Sequence, residues 1–177
     1  MPARPQPGEP STISYVSPLL AVIVGIVHAA LAPVIVIGGV KPNLVLIAVV
    51  LVTVLGGFTP GITWAFVAGL TANLLVGEPL GSVPLTMLVV AVFVAGGARV
   101  LGRAVWVYPV IAAFLGSVVA DVASLAIGQL VGASSLGRVP FELILAAATL
   151  NAAIAAIVLY PARMLAARYV PDELGTW

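Results

Sequence analysis

The chain has 177 residues, 62% of them hydrophobic and 7% charged, with a formal net charge of +1. Soluble domains hold about 45–50% apolar and about 25% charged residues, so a soluble fold of this size could not cover itself, and lipid must solvate much of the surface. The small net charge argues against nucleic acid or an acidic substrate as partner. With no cysteine and His28 as the sole histidine, disulfides, thiolate-bound metals and multi-histidine metal sites are excluded, and no cofactor is expected.

The first twelve residues, MPARPQPGEPST, contain four prolines and read as a disordered tail, taken as residues 1–14. Ala30-Leu31-Ala32 imitates a signal-peptide cleavage site, but Pro33 follows at once and more apolar segments succeed it. An uncleaved first span near 16–37 is therefore expected. Residues 42–77 carry no charge and would measure about 54 Å as one helix, too long for a hydrocarbon core of about 30 Å. Gly56, Gly57, Pro60 and Gly61 divide this run into a tight hairpin of two short helices, near 42–56 and 60–76. Uncharged runs place further spans near 82–101, 105–131 and 141–160, before a short tail over 162–177. The expected fold is an all-α integral membrane protein of six transmembrane helices, one membrane domain over 15–161. The two short helices could also form a re-entrant pair, which leaves the orientation unchanged.

With both termini inside, the inner segments hold Arg4, Arg99, Arg103, Arg163 and Arg168, and the outer ones only Lys41 and Arg138. This asymmetry points to cytoplasmic N- and C-termini. Tyr15, Trp64, Trp106, Tyr108 and Tyr160 fall near inner helix ends, where an interfacial aromatic belt would place them.

Polar side chains at membrane depth are few. Asp121 is the only carboxylate expected there, unfavourable by about 2.5–3.5 kcal/mol on insertion scales. It belongs to a stripe of Ala113, Ser117, Asp121, Ser124 and Gly128 on one helix face. The first span has a similar stripe in Ala21, Gly25, His28 and Ala32, and the last offers Ala148, Asn151, Ala152 and Ala155. His28, Asp121 and Asn151 thus form a candidate intramembrane polar cluster. It is either a buried ligand or relay site or, as favoured here, glue between helices whose small residues let backbones approach. On the third helix, Gly61, Ala65, Ala68, Gly69, Ala72 and Asn73 share a face, a small-residue groove for another helix of this chain or of a partner. Asn73, near the outer end, can bond loop carbonyls or a partner.

Catalytic signatures are missing: no GxxxxGK[ST], GxSxG or HExxH occurs. Ser117 and Ser124 lie on the same helix as Asp121, which argues against a triad. An enzyme is not expected.

The run KPNLVLIAVVLVTVLGGFTPGITWAFVAGLTANLLVGEPLGSVPL, residues 41–85, resembles the MreD family of bacterial rod shape-determining membrane proteins. Pro42, Asn43 and Leu44 match that family's opening to its second span. Gly61, Phe66, Gly69, Leu70, Leu74, Gly77, Pro79, Leu80 and Gly81 match its third-span pattern, with Ala65 standing for a glycine. Asn73 stands where the family usually has aspartate, and Gly56-Gly57 replaces Arg-Gly. The resemblance implies a non-enzymatic membrane scaffold of the cell-elongation machinery. Its partners would be MreC, a RodA-type glycan polymerase with its transpeptidase, and, indirectly, MreB filaments, in the bacterial inner membrane. The family's helical arrangement is similar to that of the substrate-binding subunits of energy-coupling-factor vitamin transporters, which supplies the rival reading. A third reading is a proton-coupled carrier centred on Asp121. The scaffold reading expects helix-packing surfaces rather than a roomy polar chamber opening outward among the first, fifth and sixth helices.

Overall fold

The computed structural model describes residues 12–31, 33–101, 107–132 and 141–169. Arg4, Arg103, Arg138, Trp106, residues 1–11 of the expected first tail and 170–177 of the last lie outside them, as do the side chains of Tyr15 and Arg168. The described residues form six helices: α1 (Thr12–Leu31), α2 (Leu44–Gly56), α3 (Phe58–Val76), α4 (Ser82–Leu101), α5 (Tyr108–Leu130) and α6 (Phe141–Tyr169). No strand occurs among them, only an isolated bridge between Ile37 and Val40. The helices α3, α4, α5 and α6 are long and apolar enough to cross a membrane, whereas α1 and α2 have shorter apolar stretches.

Turn chemistry explains most of the boundaries. The first helix stops at Leu31, short of the expected 37, because Pro33 disfavours helical geometry before it and cannot donate a backbone bond. Residues 37–40 then reverse the chain on Gly38 and Gly39, with φ of 59° and 83°. Ile37 and Val40 exchange backbone bonds of 2.9 and 3.1 Å across this turn, and two positive φ angles in succession are what glycine makes accessible. Asn43 caps α2, its side chain accepting from Leu46 N–H at 3.0 Å, which gives the Pro42-Asn43-Leu44 opening its local purpose. Between α2 and α3 stands a single residue, Gly57, at φ 96°; its N–H donates to the Thr53 carbonyl and its carbonyl accepts from Gly61. The connection between the two helices is therefore shorter than its four breaker residues require. At the far end α6 continues through Pro161 to Tyr169, past the expected stop at 160. A proline inside an apolar helix is tolerated where neighbours re-satisfy the backbone.

The short α2 packs against each of the other five helices, and the remainder follow one another around it in the order α1, α3, α4, α5, α6. Val45, Leu46, Val49 and Val50 of α2 are completely buried against Val90 and Val94 of α4 and Ala113 of α5, the centre of the core. By contrast Leu19 and Ile23 of α1 and Ile157 of α6 are exposed, as surfaces bathed in lipid would be.

Two of the expected belt aromatics point inward instead. Trp64 is buried and donates from Nε1 to Ser17 Oγ at 2.8 Å, tying α3 to α1. Tyr108 is buried with its hydroxyl donating to the Val94 carbonyl on α4. Each ring found a hydrogen-bond partner for its polar atom, which removes the reason to sit at an interface. Tyr160 is exposed. Trp64→Phe is expected to lower stability by about 0.5–1.5 kcal/mol, read as an earlier thermal unfolding midpoint than wild type in the same detergent.

Candidate functional site

The small-residue face of α3 is occupied by this chain's own helices. Gly61, Ala65, Ala68, Gly69, Ala72 and Asn73 are all buried. A methyl group on Gly61 would strike the Thr53 side chain of α2, with Thr53 Cβ at 2.9 Å, and one on Gly69 would lie 2.9 Å from Pro84 Cα of α4. From the other side Gly25 of α1 approaches so closely that its own Cβ would lie 2.8 Å from the Ala68 carbonyl oxygen. Three helices thus meet α3 at backbone distance, and no open groove remains there for a foreign helix.

Asn73 closes the following loop. Its Nδ2 donates to the carbonyls of Glu78 and Pro79 at 3.2 and 3.3 Å, and its Oδ1 accepts from Gly81 N–H at 2.6 Å. All of this serves residues 77–81, where Gly77 and Gly81 have φ of 75° and 89°. An aspartate could accept from Gly81 but would face two carbonyl oxygens with no proton to offer. Asn73→Asp is therefore expected to destabilise this chain by about 1–3 kcal/mol. The change would appear as a lower unfolding midpoint and faster amide exchange in residues 77–81.

The three residues of the expected polar cluster divide in two. Asn151 of α6 is buried; its Oδ1 accepts from Asn43 N–H at 2.8 Å and its Nδ2 donates to Ser117 Oγ at 2.9 Å. It staples the start of α2 to α5 and α6, with both its amide oxygen and its amide nitrogen engaged in interhelical bonds. His28 and Asp121 do not join it. His28 Nδ1 and Asp121 Oδ2 are fully buried atoms with no hydrogen-bond partner, and both border the same cavity.

That cavity measures about 300 Å³ and lies among α1, α3, α4 and α5, lined by His28, Asn43, Glu78, Thr86, Asp121 and Ser124 together with apolar side chains. Thr86 Oγ1 and Ser124 Oγ face each other at 3.4 Å on its wall. Two further cavities adjoin it. One of about 610 Å³ runs between residues 39–41, the 78–82 connection, α5 and α6, and shares Glu78, Asp121 and Ser124 with the first. The other, about 450 Å³, shares His28, Asn43 and Glu78 with the first and includes Lys41. Glu78 borders all three. Together they form a vestibule at the end of the bundle that carries the 33–43 and 77–81 connections. None of the three cavities is walled by α1, α5 and α6 together, and the polar residues serve as glue at Asn151 and as cavity walls at His28 and Asp121.

Thr86 carried no sequence signal, since one hydroxyl in an apolar helix is unremarkable. Lys41, Asn43 and Glu78 were visible as polar positions near the outer loops, but only the fold brings them together. Among the described residues no group of three or more His, Asp or Glu side chains could hold a metal ion.

An all-helical bundle with four helices long enough to cross a bilayer, lipid-type surfaces and a small vestibule at one end defines a multi-pass membrane protein. Residues 10–170 match the model of the family described as rod shape-determining protein MreD, and the chain belongs to that family. No curated protein and no solved structure matches it.

Proposed function

We propose that this protein is a non-enzymatic scaffold of the bacterial cell-elongation complex, the assembly that builds peptidoglycan in rod-shaped growth. It would cross the inner membrane six times with both termini cytoplasmic, α2 and α3 forming a short hairpin within the bilayer. The family match over residues 10–170 carries this reading. Its main partner would be MreC, with one membrane span and an outer domain. A RodA-type polymerase and its transpeptidase would lie alongside, and MreB filaments would be reached through the pair.

The packing narrows where that partner binds. The α3 groove is filled from within, so a foreign helix must use surfaces that this chain leaves free. In the proposed orientation the vestibule opens outward, where a chain leaving its membrane span for an outer domain has to pass. Lys41 and Glu78 on its border would meet that segment first. Co-expression with MreC and affinity capture of either protein should yield both in a fixed ratio from detergent extracts. Recovery of this protein alone, from membranes in which MreC is present and folded, would contradict the proposal.

A second reading, the substrate-binding subunit of an energy-coupling-factor-type vitamin transporter, gains from the adjoining cavities. Among the described residues, however, their walls include no Phe, Tyr or Trp, whereas small-molecule sites are lined largely by apolar and aromatic groups. Native mass spectrometry of the purified protein separates the two: a stoichiometric bound vitamin supports a transporter subunit.

A further inference from the structure

We infer that the cavity between His28 and Asp121 is a receptor for a single cationic N–H donor, an ammonium or guanidinium group. Among the described residues its walls hold two carboxylates, Asp121 and Glu78, and no lysine or arginine. The neighbouring Lys41 borders the two outer cavities but not this one. At its floor Asp121 Oδ2 is buried without a partner, and an ionised carboxylate can only accept hydrogen bonds. His28 Nδ1, equally buried and unpartnered, accepts when the ring proton sits on Nε2. The remaining polar walls are the hydroxyls of Thr86 and Ser124, each with lone pairs to offer.

Asp121 is half-buried, and a carboxylate with one oxygen shut off from any partner is well served by a cation that also supplies hydrogen bonds. The volume of about 300 Å³ suits one ammonium or guanidinium head on a short apolar stem. Water alone would satisfy the bonding but leave the charge.

Two sources can deliver such a group: a free small amine, or a lysine or arginine side chain of the partner segment passing the vestibule. Only the second rests on the scaffold reading. The probe is n-propylammonium chloride, compared at equal ionic strength with potassium chloride and with tetramethylammonium chloride, a cation without N–H donors. Thermal unfolding of the protein in nanodiscs is followed by tryptophan fluorescence. Saturable stabilisation by n-propylammonium and by neither control is expected. Asp121→Asn should weaken the apparent affinity about tenfold or more, one order of magnitude being about 1.4 kcal/mol. Asp121→Glu, which keeps the charge, should retain a measurable part of it and guards against mere loss of folding.

Stabilisation equal to that by potassium chloride, or an unchanged response in a folded Asp121→Asn protein, would overturn the inference. Capture of MreC by the Asp121→Asn protein tells the sources apart: weakened capture assigns the donor to the partner, unchanged capture assigns it to a free amine. Should the wild-type protein fail to capture MreC while still binding n-propylammonium, the scaffold reading falls and the receptor stands.

Discussion

Gly69→Ala is expected to lower the stability of the folded protein by about 1–3 kcal/mol, the usual range for overpacking a close contact. The added methyl would sit 2.9 Å from Pro84 Cα and 3.2 Å from Pro84 N. These are backbone atoms at the start of α4, so no side-chain rotation relieves the clash, and α3 and α4 must separate. Gly96 on α4 is the matched control, because nothing lies within 4 Å of its would-be methyl. There the same substitution should be neutral or add up to about 1 kcal/mol, since alanine is the better helix former. Unfolding midpoints of the two variants, measured side by side in one detergent, check the contrast. Equal effects at both positions would mean that α3 and α4 do not approach as described.

The second large effect belongs to Asn151→Ala. Removing the amide strands the Asn43 N–H and the Ser117 hydroxyl in the interior at once. Each buried group left without a partner costs about 1–3 kcal/mol, so a total loss of about 2–4 kcal/mol is expected once the backbone relaxes. Thr149→Ala on the same helix provides the comparison: its hydroxyl is exposed and only bonds back to the Leu145 carbonyl. That change should be small. The damage from Asn151→Ala should also be local, so faster amide exchange is expected at Asn43 and in the first turn of α2, which Asn43 caps.

How much of this was legible beforehand depended on whether the signal was local. Gly56, Gly57, Pro60 and Gly61 announced a break in the apolar run because turn chemistry acts over a few residues, and the two helices separate at Gly57. The small face of α3 was equally readable from its spacing. What lay against it was not, because periodicity shows which side is narrow and never which helix fills it. Thr53 and Pro84 became its partners only through the fold. Trp64 and Tyr108 misled for a related reason: aromatic residues near helix ends suit a lipid interface, unless a distant Ser17 hydroxyl or Val94 carbonyl offers a bond. The vestibule was hidden most completely. Its walls come from residues 39–43, the 78–82 connection, α1, α3, α4, α5 and α6, and no short segment of sequence contains enough of them to reveal it. His28, Asp121 and Asn151 looked alike as isolated polar residues in apolar helices, although only Asn151 has its bonds satisfied.

Conversely, several close helix contacts lie where the family-like pattern is densest. Gly61 and Gly69 fit against neighbouring helices, Gly77 and Gly81 take left-handed turns, and Asn73 holds the loop between them. This part of the pattern builds the fold. On the proposed scaffold reading, recognition of a partner falls to the vestibule and to the lipid-facing surfaces of α1 and α6.

The most direct measurement is a photo-crosslinking scan in living cells. A photoreactive amino acid is placed singly at Lys41 and Glu78 on the vestibule border, and at Val100 and Met164 at the opposite end of the bundle. The account predicts that MreC is captured from Lys41 and Glu78. If both border positions yield no MreC while Val100 or Met164 does, the vestibule is not where the partner engages, and the central claim fails.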